Sequence, residues 1–154
     1  MLSLKPFQII LVAALLIFSP ATATMAQSEE LYTNPTILEI EDIMKQKGYD
    51  VKYLDEENLV AWVLGNGKFT TVSITEPNIL NFRTFGKNVN ISLDKINEWN
   101  SGHSFGKAYI DAKKNAVLEI YMDYTGGVTK ERMLDFFETC EQSQNEWLAV
   151  VQLK

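Results

Sequence analysis

His103 and Cys140 are the only histidine and the only cysteine of a 154-residue chain, and they bound the chemistry it can do. A zinc site draws three or four ligands from His, Cys and acidic side chains. One His and one Cys, far apart in sequence, do not supply that set. A cysteine nucleophile needs a base within reach, and His103 is the only histidine to offer. Cys140 falls on the apolar stripe of a predicted helix, so it reads as a small buried apolar residue. A lone Cys leaves no internal disulfide. His103 reads as a structural loop residue. Ser104 beside it lacks the Gly-x-Ser-x-Gly surroundings of a nucleophile elbow.

Carboxylates remain. Asp94 and Glu98 stand at i, i+4 spacing, and Asp111, Glu119 and Asp123 lie on neighbouring predicted strands. Glycoside hydrolysis needs two carboxylates about 5–10 Å apart across a sugar cleft. An exported hydrolase using Asp111 and Asp123 is therefore one alternative. Asp111, Asp123 and Asp55-Glu56-Glu57 do not follow the EF-hand spacing, and Gly126-Gly127 matches neither the dinucleotide fingerprint nor the P-loop. Gly126-Gly127 reads as a tight turn. Asn90-Ile91-Ser92 fits the glycosylation pattern, which matters only in a glycosylating host. A second alternative is a small-ligand carrier with an aromatic pocket around Trp62 and Tyr121. No catalytic, cofactor-binding or metal-ligating residue is expected, and no cofactor.

The elements that carry these residues follow from periodicity. Asn34-Pro35 reads as an N-cap and first helical residue, and Ile37, Ile40, Ile43 and Met44 recur at helical spacing up to Gly48. This predicts a helix over 35–47. Asp50 to Leu54 is a short strand. Leu59 to Leu64 is apolar throughout, the pattern of a strand covered on both faces. Gly65-Asn66-Gly67 signals a hairpin. Thr70, Val72 and Ile74 share one face of the next strand, and Glu76-Pro77-Asn78 turns the chain. Leu80 and Phe82 then point one way, Asn81 and Arg83 the other.

Ser92 caps a predicted helix over 93–100, with Leu93, Ile96 and Trp99 or Asn100 as its apolar edge and a left-handed Gly102 as its stop. Phe105 to Asp111 is a strand. Ala116 to Tyr124 is another, with Leu118, Ile120 and Met122 on one face and Glu119, Tyr121 and Asp123 on the other. After Gly126-Gly127, Thr129 caps a final helix of about 20 residues, roughly 30 Å long. Met133, Phe136, Phe137, Cys140, Trp147, Leu148 and Val151 form its stripe. The order α-β-β-β-β-α-β-β-α, with hairpin-linked strands and segregated helices, predicts an α+β fold with a largely antiparallel sheet.

Residues 1–26 read as a secretory signal peptide: Lys5, an apolar run from Ile9 to Phe18, Pro20, then small residues. The run is too short for a spanning helix, which takes about 20 apolar residues. Cleavage is expected after Ala26, with Ala23 as the second choice, and residues 27–33 are a polar lead-in to a single domain over 34–154. The expected location is the periplasm, with secretion as the second choice and no stable membrane insertion after cleavage. The chain carries a net charge of −6, and losing Lys5 with residues 1–26 leaves 13 basic and 20 acidic residues, a net of −7. Such a chain has no electrostatic footprint for nucleic acid.

The run from Leu93 to Phe137 resembles the YbjN domain family. The resemblance rests on Ile96-Asn97-Glu98-Trp99-Asn100, Phe105 with Ala108-Tyr109, Asp111, Leu118-Glu119 and Gly126-Gly127-Val128, and less specifically on Asn81-Phe82-Arg83. It implies an α+β fold similar to class I type III secretion chaperones, which bind other polypeptides. The family is described as proposed bacterial sensory transduction regulators, with no established catalytic residues to carry over. The resulting expectation is an exported, non-enzymatic protein-binding module, chaperone-like or a sensory accessory protein. Its partner is a polypeptide, with a homodimer through the last helix as a further expectation.

Overall fold

The structure is a computed structural model that describes residues 30–54, 59–63, 69–76, 78–86, 89 and 91–152. The signal peptide with its cleavage sites at Ala26 and Ala23, and the hairpin turn Gly65-Asn66-Gly67, lie outside the described residues.

The chain enters through β1 (Leu31–Tyr32), within the stretch expected to be only a polar lead-in. Helix α1 (Ile37–Gln46) starts two residues later than expected, because Thr36 and not Asn34 is its cap. Thr36 Oγ1 accepts from the Glu39 amide at 3.3 Å, and Glu39 returns a carboxylate oxygen to the Thr36 amide at 2.7 Å. This reciprocal box satisfies two amides that a helix start otherwise leaves open. At the other end Gly48, at φ +95°, donates to Lys45 O, and Tyr49 donates to Met44 O. That is the paired closure that a left-handed glycine allows.

Strands β2 (Asp50–Leu54), β3 (Leu59–Val63), β4 (Phe69–Glu76) and β5 (Ile79–Gly86) follow as an antiparallel meander. Helix α2 (Leu93–Gly102) then crosses to β6 (Lys107–Ile110), and β7 (Ala116–Asp123) returns between β5 and β6. The six-stranded sheet has the order β2-β3-β4-β5-β7-β6, every neighbour antiparallel. Gly126 and Gly127, both at positive φ, turn the chain into β8 (Val128–Thr129), which pairs with β1. Thr129 Oγ1 accepts from the Arg132 amide at 3.2 Å at the start of the closing helix α3 (Lys130–Gln152). The predicted α+β class and helix order hold, with β1 and β8 as a small addition.

All three helices contribute to one core on one face of the sheet. Ile40, Met44, Val60, Val72, Leu80, Phe82, Leu118, Ile120, Met133, Phe137, Cys140 and Trp147 are at most 1% exposed. The Trp62 ring meets Phe82 and Phe137 edge-on, at 5.8 and 6.2 Å between centroids. The stripe predicted for α3 is buried from Met133 to Val151.

Three local expectations change. In the run from Leu59, Val60 and Trp62 enter the core, while Ala61 on the opposite face is half-buried. Helix α2 continues through Gly102, and the chain leaves it in an extended conformation at His103, φ −123°. The left-handed glycine of this corner is Gly106, at φ +87°, so the strand begins at Lys107 and not at Phe105. Leu93 is 67% exposed, so the apolar edge of α2 is Ile96 and Trp99.

Candidate functional site

Side chains alternate across a strand, so each strand of this sheet has a second set of residues pointing away from the helices. On β4 these are Thr71, Ser73 and Thr75; on β5, Asn81, Arg83 and Phe85; on β7, Val117, Glu119, Tyr121 and Asp123; on β6, Lys107 and Tyr109; Ser73, Asn81, Val117 and Glu119 are buried. Among the described residues no helix covers this face. The register places Arg83 opposite Glu119, Glu119 opposite Lys107, and Asn81 between Ser73 and Tyr121.

At its centre Arg83 and Glu119 form an ion pair. Tyr121 donates its hydroxyl to Glu119 Oε2 at 2.7 Å. Burial alone would push the Glu119 carboxyl up, but the Tyr121 hydroxyl, Tyr109 and the Arg83 guanidinium hold it below the usual carboxylate range. Burial first, and Glu119 second, push both tyrosine hydroxyls up to about 12. The Arg83 guanidinium lies 6.0 Å from the Phe85 ring centre, and the Lys107 ammonium 5.2 Å from that of Tyr109. Beside this cluster, Thr71, Ser73, Ile74, Thr75, Asn81, Arg83 and Phe85 line a cavity of about 380 Å³.

Both outer edges of the sheet are occupied by side chains from the helices. Asn100 on α2 donates to Ala108 O at 3.0 Å and accepts from Ala108 N at 2.8 Å, so its amide stands where a seventh strand would pair with β6. Glu41 on α1 accepts from Tyr53 N of β2 at 2.9 Å and pairs with Lys45 at 2.9 Å. Edge strands left open invite pairing with other chains. Among the described residues, helix side chains meet both edges while no helix lies on the far face.

The other sequence candidates are dispersed. Asp111 holds the β6–β7 turn by accepting from Asn115 N and Nδ2, and Asp123 closes the far end of β7 with a bond from Thr125 N. The length of β7 keeps the two carboxylates ~25 Å apart at 3.3 Å per residue, which ends the proposed acid–base pair. Glu98 pairs with Lys95 at 2.7 Å on the exposed side of α2. Trp62 faces the core and Tyr121 the open side, so they share no pocket. His103 stacks on Trp99 at 3.6 Å, with Nε2 3.3 Å from Glu146 on α3, as a corner brace. Burial pushes the Cys140 thiol well up. Among the described residues no group of three His, Cys, Asp or Glu is placed to hold a metal, and no helix is long and apolar enough to cross a membrane. Alternation in the sequence had paired Asn81 with Arg83 and Glu119 with Tyr121. It had no means of finding the register that joins the two pairs, or the part played by Asn100.

Three helices over one side of a six-stranded antiparallel sheet, with no helix on the other side among the described residues, define an α+β module. The chain belongs to the YbjN family, described as "Putative bacterial sensory transduction regulator", whose profile matches residues 36–152. Its fold is similar to that of the E. coli protein in "Crystal structure of YbjN, a putative transcription regulator from E. coli". The TM-score is 0.62 at 15% identity, covering 79% of this chain and 92% of that one. No curated protein matches the sequence. The family's description is that of a regulator and not of an enzyme.

Proposed function

We propose that this chain is an exported, non-enzymatic module that binds a polypeptide partner on the open face of its sheet, as a periplasmic accessory to a sensory or regulatory system. The observation that carries the reading is the contrast between the uncovered face and the plugged edges. A partner that added a strand would have to displace Asn100 or Glu41. A partner that docks on the face meets Tyr121, 50% exposed, backed by a fixed cluster of charged and aromatic groups. The apolar stripe of α3 is consumed by the chain's own core, which favours the face over that helix as the docking surface. The features of residues 1–26 support export.

The test is site-specific photo-cross-linking in cells. A photoreactive side chain at position 121 should capture one discrete polypeptide at near-stoichiometric yield, while one at Leu38, equally exposed on α1, should not. Equal capture from both positions, or none from position 121, would sink the reading. Links between copies alone would make the partner a second copy of this chain. N-terminal sequencing of the same material should begin at Gln27 if export proceeds as proposed.

A further inference from the structure

His103 is the only histidine of the chain, and both of its ring nitrogens face oxygen atoms that can only accept. Nδ1 lies 2.9 Å from the Trp99 carbonyl oxygen, and Nε2 lies 3.3 Å from a carboxylate oxygen of Glu146 on α3. A neutral imidazole carries one N–H and one lone pair, so it serves one of these oxygens and turns its lone pair on the other. The imidazolium has two donors and serves both. The rest of the corner also favours the cation. The ring lies flat on the Trp99 indole, 3.6 Å between centroids and 9° between planes, where the π face attracts positive charge. His103 follows the last turn of α2, which carries no basic side chain, and a positive charge there meets the negative end of the helix dipole. Among the described residues, Glu146 is the acid in contact with the ring, and Gln142 holds its other oxygen at 3.2 Å. Glu98 on α2 is taken by Lys95, the field of Glu141 on α3 falls on Tyr49, and Lys107 on β6 lies over the Tyr109 ring.

This corner borders the edge of the sheet. Asn100, next in the chain to Trp99, is the side chain that occupies both polar groups of Ala108 on β6. We infer that His103 is a proton-operated latch on the β6 edge. Protonated, the ring ties the last turn of α2 to α3 and keeps Asn100 seated over Ala108. Neutral, it keeps Nδ1–H on the Trp99 carbonyl and stays stacked, but loses its attraction to Glu146. The turn that carries Asn100 then lifts from the edge more often. Histidine is the side chain whose ordinary charge change falls between about pH 5 and 8. The His103 and Glu146 side chains are 33% and 46% exposed, so protons reach them from solvent. The edge is therefore covered on the acid side and more often open to pairing with another strand on the alkaline side. The latch acts on the edge and not on the face, so it holds or fails independently of the polypeptide-binding reading.

The experiment is 15N NMR of the His103 ring in the intact protein from about pH 5 to 8.5, with amide exchange measured alongside. A single histidine makes the ring signals unambiguous. The neutral ring should carry its proton on Nδ1. Protection of the Ala108 amide, with the intrinsic pH dependence of exchange divided out, should fall about two- to five-fold as the ring loses its proton, the effect of one half-exposed ion pair. The amides at the centre of β5 and β7 should keep theirs. Glu146→Gln should hold Ala108 at the lower protection at every pH. His103→Phe, which keeps a ring on Trp99 without the charge, should do the same and keeps the test valid if the first variant does not fold. A neutral ring protonated on Nε2 would overturn the inference. Ala108 protection that ignores the titration of the ring, or follows pH equally in Glu146→Gln, would also overturn it.

Discussion

Glu119 shows how a single side chain ties the open face together. It is 4% exposed, yet its carboxyl is held below the usual range, against the cost of burial, by the Tyr121 hydroxyl and the Arg83 guanidinium. Replacing it with Gln keeps the shape and removes the charge, which leaves Arg83 unpaired on the sheet. Losing one partner of a fully buried pair costs about 3–5 kcal/mol. The Arg83 side chain is 40% exposed, so a loss of about 1–2 kcal/mol is expected once solvent screening is allowed for. Urea unfolding at pH 7 checks it. The carboxyl is depressed in the fold, so its contribution is full above its unfolded pKa of about 4.3 and fades as pH falls through the folded value. Tyr109 and Tyr121 are raised, so their contribution is full below about 10 and is lost as pH rises towards 12. Stability of the native protein should therefore drop on both flanks. Tyr109→Phe with Tyr121→Phe should make the alkaline one shallower, with the raised Tyr49 and Tyr124 keeping the rest, measured as denaturation midpoint against pH.

At the level of elements, two short contacts decide how the sheet is bounded. Asn100 presents its amide to both polar groups of Ala108. Asn100→Ala removes two hydrogen bonds, about 1–3 kcal/mol together, and bares the β6 edge. Self-association that rises with concentration is expected, and analytical ultracentrifugation would read it; a strictly monomeric variant would show that the edge needs no plug. Gly127 does similar work for β1. It sits at φ +108°, and a Cβ there would come within 2.7 Å of Leu31. Gly127→Ala combines backbone strain with that clash, about 1–3 kcal/mol for the strain. Its effect should be local. Amide exchange at Leu31–Tyr32 and Val128–Thr129 should speed up while the core of β5 and β7 keeps its protection. Both devices are also where the sequence misled. Asn100 looked like a helix terminus and residues 27–33 like a lead-in, since both roles depend on partners distant in the chain.

On the scale of the whole molecule, the core is one unit from α1 through the sheet to α3. Cys140 is 0% exposed within it, and burial holds the thiol protonated, so the nucleophilic thiolate is suppressed. A thiol reagent should label the native protein only through global unfolding. Its rate should then track denaturant unfolding, and Phe137→Ala, which opens the core beside it, should cost about 3–5 kcal/mol and speed labelling accordingly. Fast labelling without loss of stability would reveal a local opening of α3.

The sequence by itself determined what depends on neighbours in the chain. Alternation in β4, β5 and β7 sorted the core face from the open face before any strand was paired, and helical spacing placed α1, α2 and α3 to within a few residues. Only the tertiary structure decided what depends on register and on chain-distant contacts. It set Arg83 across from Glu119, sent Trp62 and Tyr121 to opposite faces, put the length of β7 between Asp111 and Asp123, and brought Asn100 and Glu41 to the sheet edges. The reason is physical: a strand pattern repeats every two residues whatever it pairs with, whereas pairing order and register are settled by the collective burial of the core.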